Sequence, residues 1–385
     1  MRKVYMDHSA TTPTRPEVVE AMIPYFAEQY GNPSSLHQFG QWTRAAIEEA
    51  RDRIAKLIGA TPEEIYYTSG GTESDNFVIT GVGFRHFEER GHIITSKVEH
   101  KAVLESVKFM EKIGFTATYL DVDKFGTVHP DTLREAIRDD TMLVSIMMAN
   151  NEVGTIEPIK ELAEIAHEHG ALFHTDAVQA FGKIPVNVED LGVDFLASSG
   201  HKFYGPKGIG ICYIKNSARN EISSLIHGGT HESGKRAGTE NVPGIIGYAK
   251  ALELAIADID IEPDREGKLT EMLHKGLTDA LDGVTLNGHP KNRLPGLVNL
   301  SFARVEGESM LLSLDLQGIA LSSGSACTSG SLESSHVLSA MGCEPLQAHS
   351  SIRFSLGRDN NEEDVEYVLR VLPPLIEKLR SMSML

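Results

Sequence analysis

From about Glu64 to Gly208 the chain alternates short apolar runs with stretches whose apolar residues recur at helical spacing, and this alternation narrows the possible folds most. The apolar runs cover 64–68, 91–95, 116–120, 142–149, 171–176 and 193–197, and helical patterns cover 100–113, 130–138 and 159–169. Strands joined by helical crossovers run parallel, and such a sheet is buried on both faces. The expected fold class is therefore α/β with a mostly parallel sheet. Ligands of such sheets sit beyond the carboxyl ends of the strands.

That rule gathers the polar residues. Gly71, Thr72, His100, Asn150, Asp176, Gln179, Ser199, His201 and Lys202 all fall at or just past a strand end. Ser69-Gly70-Gly71-Thr72-Glu73-Ser74-Asp75-Asn76 joins a strand to a helix start, which points free N–H groups and the positive end of a helix at an anion. The motif lacks both the lysine of a P-loop and the spaced glycines of a dinucleotide fingerprint, which disfavours ATP and NAD. In Ser198-Ser199-Gly200-His201-Lys202-Phe203-Tyr204-Gly205-Pro206-Lys207-Gly208, Lys202 is delivered by an apolar strand into a turn of hydroxyls and glycines. A lysine there is either an ordinary loop residue or an amine held neutral for Schiff-base formation. Asp176 stands 26 residues before it, at another strand end. A phosphate cup, an amine and a carboxylate suit an aromatic cofactor with a phosphate, an aldehyde and a ring nitrogen, and pyridoxal phosphate has all three. Each residue also has a plain structural reading: Asp176 and His100 as caps, Gly70-Gly71 as a tight turn.

At 385 residues the chain exceeds one ordinary core, so two domains are expected. An acidic stretch, Asp258-Ile259-Asp260-Ile261-Glu262-Pro263-Asp264, marks the passage between them. The large domain is placed at 13–258, and a smaller α+β domain at 1–12 plus 259–385. A final helix is expected to start at an Asn360-x-x-Glu363 cap and to kink or end at Pro373-Pro374. The net charge of −18 disfavours nucleic acid and anionic membrane as partners. No apolar run reaches transmembrane length, and Met1-Arg2-Lys3-Val4-Tyr5 leads into a strand-like pattern, so a cytoplasmic location is expected. The three cysteines show no CxxC spacing, which suggests neither a structural zinc site nor a disulfide framework. Cys212 sits in an apolar strand, whereas Cys327 sits in a Ser/Gly-rich loop at about 321–333, where a thiol gains reach.

The segments Met6-Asp7-His8-Ser9-Ala10-Thr11-Thr12-Pro13, Gly31-Asn32-Pro33-Ser34-Ser35, Ser69–Asn76, His174-Thr175-Asp176-Ala177-Val178-Gln179 and Ser199-Gly200-His201-Lys202 together resemble the NifS/IscS-type cysteine desulfurases, which are class V, fold-type I pyridoxal-phosphate enzymes. The likeness runs from Val4 to about Leu379. It implies a fold-type I transferase with a seven-stranded-type sheet in the large domain. It implies that Lys202 carries the cofactor, Asp176 meets the ring nitrogen, and Gln179 and Asn150 lie on the phenolic-oxygen side. Gly71, Thr72, Ser199 and His201 would hold the phosphate, His100 would stack on the ring, and Thr239 would reach the phosphate of the other subunit of a homodimer. Arg353 would pair with the substrate carboxylate, although it could equally close a salt bridge between strands.

The implied reaction converts L-cysteine to L-alanine and leaves the sulfur as a persulfide on Cys327, which passes it to an iron–sulfur scaffold protein of the IscU/NifU kind. Whether Cys327 also ligates a cluster transiently shared with that scaffold stays open. Selenocysteine lyase and class V aminotransferase are the enzyme alternatives; a catalytically idle scaffold partner is the non-enzymatic one. Keeping both Lys202 and Cys327 argues against the last.

Overall fold

The computed structural model describes residues 2–323 and 334–382. Its strands are β1 (Val4–Tyr5), β2 (Ile65–Thr68), β3 (His92–Ser96), β4 (Thr116–Leu120), β5 (Thr141–Ser145), β6 (Leu172–Asp176), β7 (Phe195–Ser199), β8 (Gly210–Ile214), β9 (Val284–Asn287), β10 (Leu297–Phe302), β11 (Ile319–Ala320) and β12 (Ser351–Ser355). The main sheet has seven strands in the order β2-β8-β7-β6-β5-β3-β4. The run from β7 to β4 is parallel throughout, while β8 lies antiparallel to both β2 and β7. The fold class is thus α/β with a mostly parallel sheet, as the alternation requires.

The pleat explains why these strands read as continuous apolar runs. Val144, Leu196, Ile211 and Tyr213 join one core, while their neighbours Leu143, Phe195, Cys212 and Ile214 join another on the opposite face. The helix Gln38–Ile58 covers the first face with Ile47, Ala50, Ile54 and Ile58, starts on the side chain of His37 and stops at Gly59, whose φ of 72° is left-handed. The helix Gly71–Arg85 covers the second with Phe77, Val78, Ile79 and Val82.

A separate core gathers Val4 and Met6 with Leu269, Leu273 and Leu277, β10, β12 and the C-terminal helix Glu362–Met382. Here β12-β10-β9 form an antiparallel sheet, and β1 pairs with β11 in parallel. Between the cores the N-terminal segment is stitched to both. His8 N–H donates to Ser355 O at 3.1 Å, and Thr12 N–H donates to His201 O at 2.9 Å.

Three local expectations differ from the structure. The run after Thr141 leaves the regular strand at Ser145, and Ile146–Ala149 stay buried as they carry the chain toward the site. The cap of the last helix is shifted by one residue: Asn361 and Asp364 exchange side-chain and backbone hydrogen bonds at 3.1 and 3.3 Å, while Asn360 holds Gly357 N–H and Tyr5 O instead. The helix also does not end at Pro373-Pro374 but continues to Met382. Burial of Leu372 and Ile376 in the second core outweighs the backbone hydrogen bonds those prolines cannot donate.

Candidate active site

Lys202 ends a single turn, Gly200–Lys202, that follows β7 directly. Its Nζ donates to the carbonyls of Ser9 at 2.6 Å and Ala10 at 2.8 Å, so the N-terminal segment fixes where the amine stands. Next in the sheet, β6 ends at Asp176, whose carboxylate accepts from Val178 N–H at 2.9 Å. Burial raises the affinity of Asp176 for a proton, and the charges of His100 and Lys202 oppose that rise. The ring of His100 caps the helix Lys101–Lys112, its Nδ1 accepting from Ala102 N–H at 3.1 Å. Burial lowers its basicity, as does Lys202, against the pull of Asp176. The neutral ring therefore carries its proton on Nε2.

The cup expected after β2 is present. Gly70 has φ 152° and ψ −176°, a conformation open to glycine, and gives the helix Gly71–Arg85 no side-chain cap. A Cβ on Gly71 would stand 2.5 Å from Val178 Cγ2 and 3.8 Å from Ser199 Cβ, so only a glycine lets this helix end approach β6 and β7 so closely. Thr72 lies exposed in the first turn. Glu73 closes that turn on Ser69 N–H at 2.9 Å and pairs with Arg236 at 2.9 Å. Arg236 thereby fastens the segment bearing Thr239, itself exposed, beside the cup. Nδ1 of His201 lies 3.1 Å from Thr11 Oγ1, and burial with the Lys202, Lys207 and Lys183 charges brings the ring down to about 4.

Asn150 and Gln179 are braced by the protein. The Asn150 amide donates to Val98 O at 2.9 Å and accepts from the N–H groups of Glu152 and Val153. Gln179 donates to Ser9 O at 2.9 Å and accepts from Lys183 at 2.7 Å. Arg353, buried on β12, donates to Asn151 O at 2.7 Å and pairs with Asp7 at 2.8 Å, which leaves its buried Nε without a partner among the described residues. The ion pair of Arg353 is thus present, made with Asp7 of the N-terminal segment just past β1. Cys327 lies outside the described residues.

Four titratable residues around the site were not singled out by sequence. Asp75 is buried, and burial, with the charges of Asp176 and Glu99, pushes its carboxyl well up. Its neighbour His174 stands 3.6 Å away, held near 3 by burial and therefore neutral. Glu99 is raised to about 8, again by burial first. Lys183 lies four residues past Gln179, and only its Gly182-Lys183 turn hinted at it.

The class-V aminotransferase model matches residues 4–368. The chain belongs to the class-V aminotransferase family, among its cysteine desulfurases. It is 58% identical over 382 residues to the cysteine desulfurase IscS of Dictyoglomus turgidum, covering 99% of this chain and 96% of that protein. A solved NifS-like protein superposes with a TM-score of 0.92 at 39% identity, covering 98% of this chain and all of that one. The structure of SspA in complex with cysteine superposes with a TM-score of 0.83 at 36% identity, covering 92% and 99%.

Enzymes of this family depend on pyridoxal phosphate, and the class-V site described above fits that group. A buried carboxylate whose proton affinity is raised by burial needs a cationic partner, which a protonated ring nitrogen supplies. An uncapped helix start lined by Gly71 and Ser199 offers N–H groups to a phosphate. The amine of Lys202 donates to two neutral carbonyls, those of Ser9 and Ala10, at the mouth of this site.

Proposed function

We propose that this enzyme takes the sulfur of L-cysteine onto Cys327, releases L-alanine, and supplies that sulfur for iron–sulfur cluster assembly and related transfers. The observation that carries the reading is the convergence of Lys202, Asp176 and His100 past the ends of β7, β6 and β3, with Asp176 and His100 each feeling the charge of the other and of Lys202. Lys202, Asp176, His100, Gln179 and Asn150 would hold pyridoxal phosphate by its ring side, and Gly71, Thr72, Ser199 and His201 by its phosphate. When bound, that group supplies an electron sink for bonds broken at the amino acid's carbon atoms.

The chain's own groups do the rest. The spare Nε of Arg353 receives the substrate carboxylate, and its anchoring by Asp7 and Asn151 keeps the guanidinium from swinging away. Lys202 Nζ, held by Ser9 and Ala10, moves the proton at Cα, and His100 Nε2–H stands ready as a second proton carrier. The Cys327 thiolate attacks the substrate sulfur: the S–S bond forms as the C–S bond breaks. The bonding pair stays with carbon and is protonated, giving alanine and an enzyme persulfide. Thr239 would complete the phosphate site of a second copy, so a homodimer belongs to the reading, with the two domains divided at 12/13 and 258/259. Sulfur acceptors of the scaffold type and a cytoplasmic setting belong to it as well; among the described residues no helix is long and apolar enough to cross a membrane.

The test is a product assay with cysteine. Equal yields of alanine and persulfide are expected, with both lost to background in Lys202→Ala and the persulfide lost in Cys327→Ser. Keto-acid formation in place of alanine would mark an aminotransferase instead.

A further inference from the structure

Gln179 is the residue this reading sets against the cofactor's phenolic oxygen, and an amide can serve there as donor or acceptor depending on which end it presents. Lys183 decides the matter. The Gln179 atom 2.7 Å from Lys183 Nζ is the carbonyl oxygen, which only accepts, so the lysine amine donates to it whether charged or neutral. The NH2 end is therefore turned the other way, where one N–H goes to Ser9 O at 2.9 Å. That same carbonyl accepts from Lys202 Nζ at 2.6 Å. A continuous chain of hydrogen bonds thus runs from Lys183 through Gln179 and Ser9 to the amine of Lys202.

Lys183 reaches its place through Gly182, whose φ of 71° is left-handed and where a Cβ would stand 2.8 Å from Phe203 Cβ and 2.9 Å from Ala255 Cβ. It lines the same cavity as Lys202, His8, Arg15, Tyr204 and Glu266. The charges it feels come from several elements. Lys202 follows β7, Glu266 lies on the helix Glu262–Ala280 of the second core, and Arg353 lies on β12. His8 and His201 in turn feel Lys183. Burial and Lys202 bring the Lys183 amine down to about 7, Glu266 opposes them, and burial lifts Glu266 to about 7 in return. Among the described residues Glu266 is the carboxylate whose charge acts on Lys183, and Asp258 and Glu262 line the same cavity.

We propose that Lys183 is a positioning residue. Its amine locks the Gln179 amide with the NH2 end toward the cofactor, and Glu266, reaching over from the second core, keeps that amine charged. The proposal rests on the site assignment above. Loss of Lys183 frees the amide to flip and removes a positive charge beside Lys202. Both changes make the protonated form of the cofactor chromophore at Lys202 easier to keep.

The experiment is a pH titration of the visible absorption band of the cofactor-loaded enzyme. In Lys183→Met the midpoint is expected to rise by about one unit. Lys183→Arg, which keeps a donor to the Gln179 carbonyl, should titrate close to the parent. Glu266→Gln leaves Lys183 in place and should shift the midpoint in the same direction by less, which keeps a readout if the methionine variant folds poorly. An unchanged midpoint in Lys183→Met, with Lys202 still trapped by borohydride, overturns the proposal and leaves the site assignment standing. So does an arginine variant that shifts as far as methionine. Absence of both band and trapping in the parent overturns the assignment and the proposal together.

Discussion

A buried acid shows most clearly what the residue scale adds. Glu99 accepts from Ser96 Oγ at 2.7 Å and Met147 N–H at 3.0 Å, yet burial still lifts it from its ordinary 4.5 to about 8. Between those values the folded chain holds a proton that the unfolded chain has released. The folded state binds more protons there, so Glu99 makes stability fall as pH rises, with a limiting slope of about 1.4 kcal/mol per pH unit. Glu99→Gln keeps the shape and cannot titrate. Chemical unfolding of the cofactor-free protein at about pH 5.5 and about pH 7.5 should show the parent losing more stability across the interval than the variant, with the gap at the higher pH bounded by about 3 kcal/mol. Asp75 belongs to the same logic: a carboxyl pushed well up by burial acts as a neutral group beside Asp176, so Asp75→Asn should hold cofactor nearly as the parent does, whereas Asp176→Asn should not. Retention of the cofactor through gel filtration separates the two.

At the scale of elements, the cup depends on how closely the helix Gly71–Arg85 approaches β6 and β7. A methyl at position 71 would press on Val178, a short branched side chain with little room to yield. Gly71→Ala should therefore keep the fold and weaken pyridoxal phosphate binding about ten- to a hundredfold, measurable by equilibrium dialysis. Strands, crossovers and the glycine turn were legible because their signals are local: the apolar runs 64–68 and 193–197 are β2 and β7 to within two residues at each end. The antiparallel course of β8 was not legible, since Gly210–Ile214 has the same apolar composition as its parallel neighbours and direction is set by the connection before it. The helix through Pro373-Pro374 misled for a related reason. The proline rule is local, and the burial of Leu372 and Ile376 that overrides it comes from residues more than sixty positions away, such as Leu300 and Phe302.

Across the whole molecule, the site is built where the two cores meet. Residues from the N-terminal segment, β6, β7 and β12 converge on it: Asp7 holds Arg353 and Ser9 holds both Lys202 and Gln179. The strand-end residues were readable because parallel sheets gather their ligands there. Lys183, Asp75 and Glu99 were not, because their roles arise from burial and from partners distant in sequence, which no motif records. The central claim is that Lys202, and not its neighbour Lys183, bears the cofactor. Borohydride reduction of the loaded enzyme followed by peptide mapping tests it directly: the account predicts a single modified peptide carrying the label on Lys202, and a label on Lys183, or on no lysine at all, would contradict it.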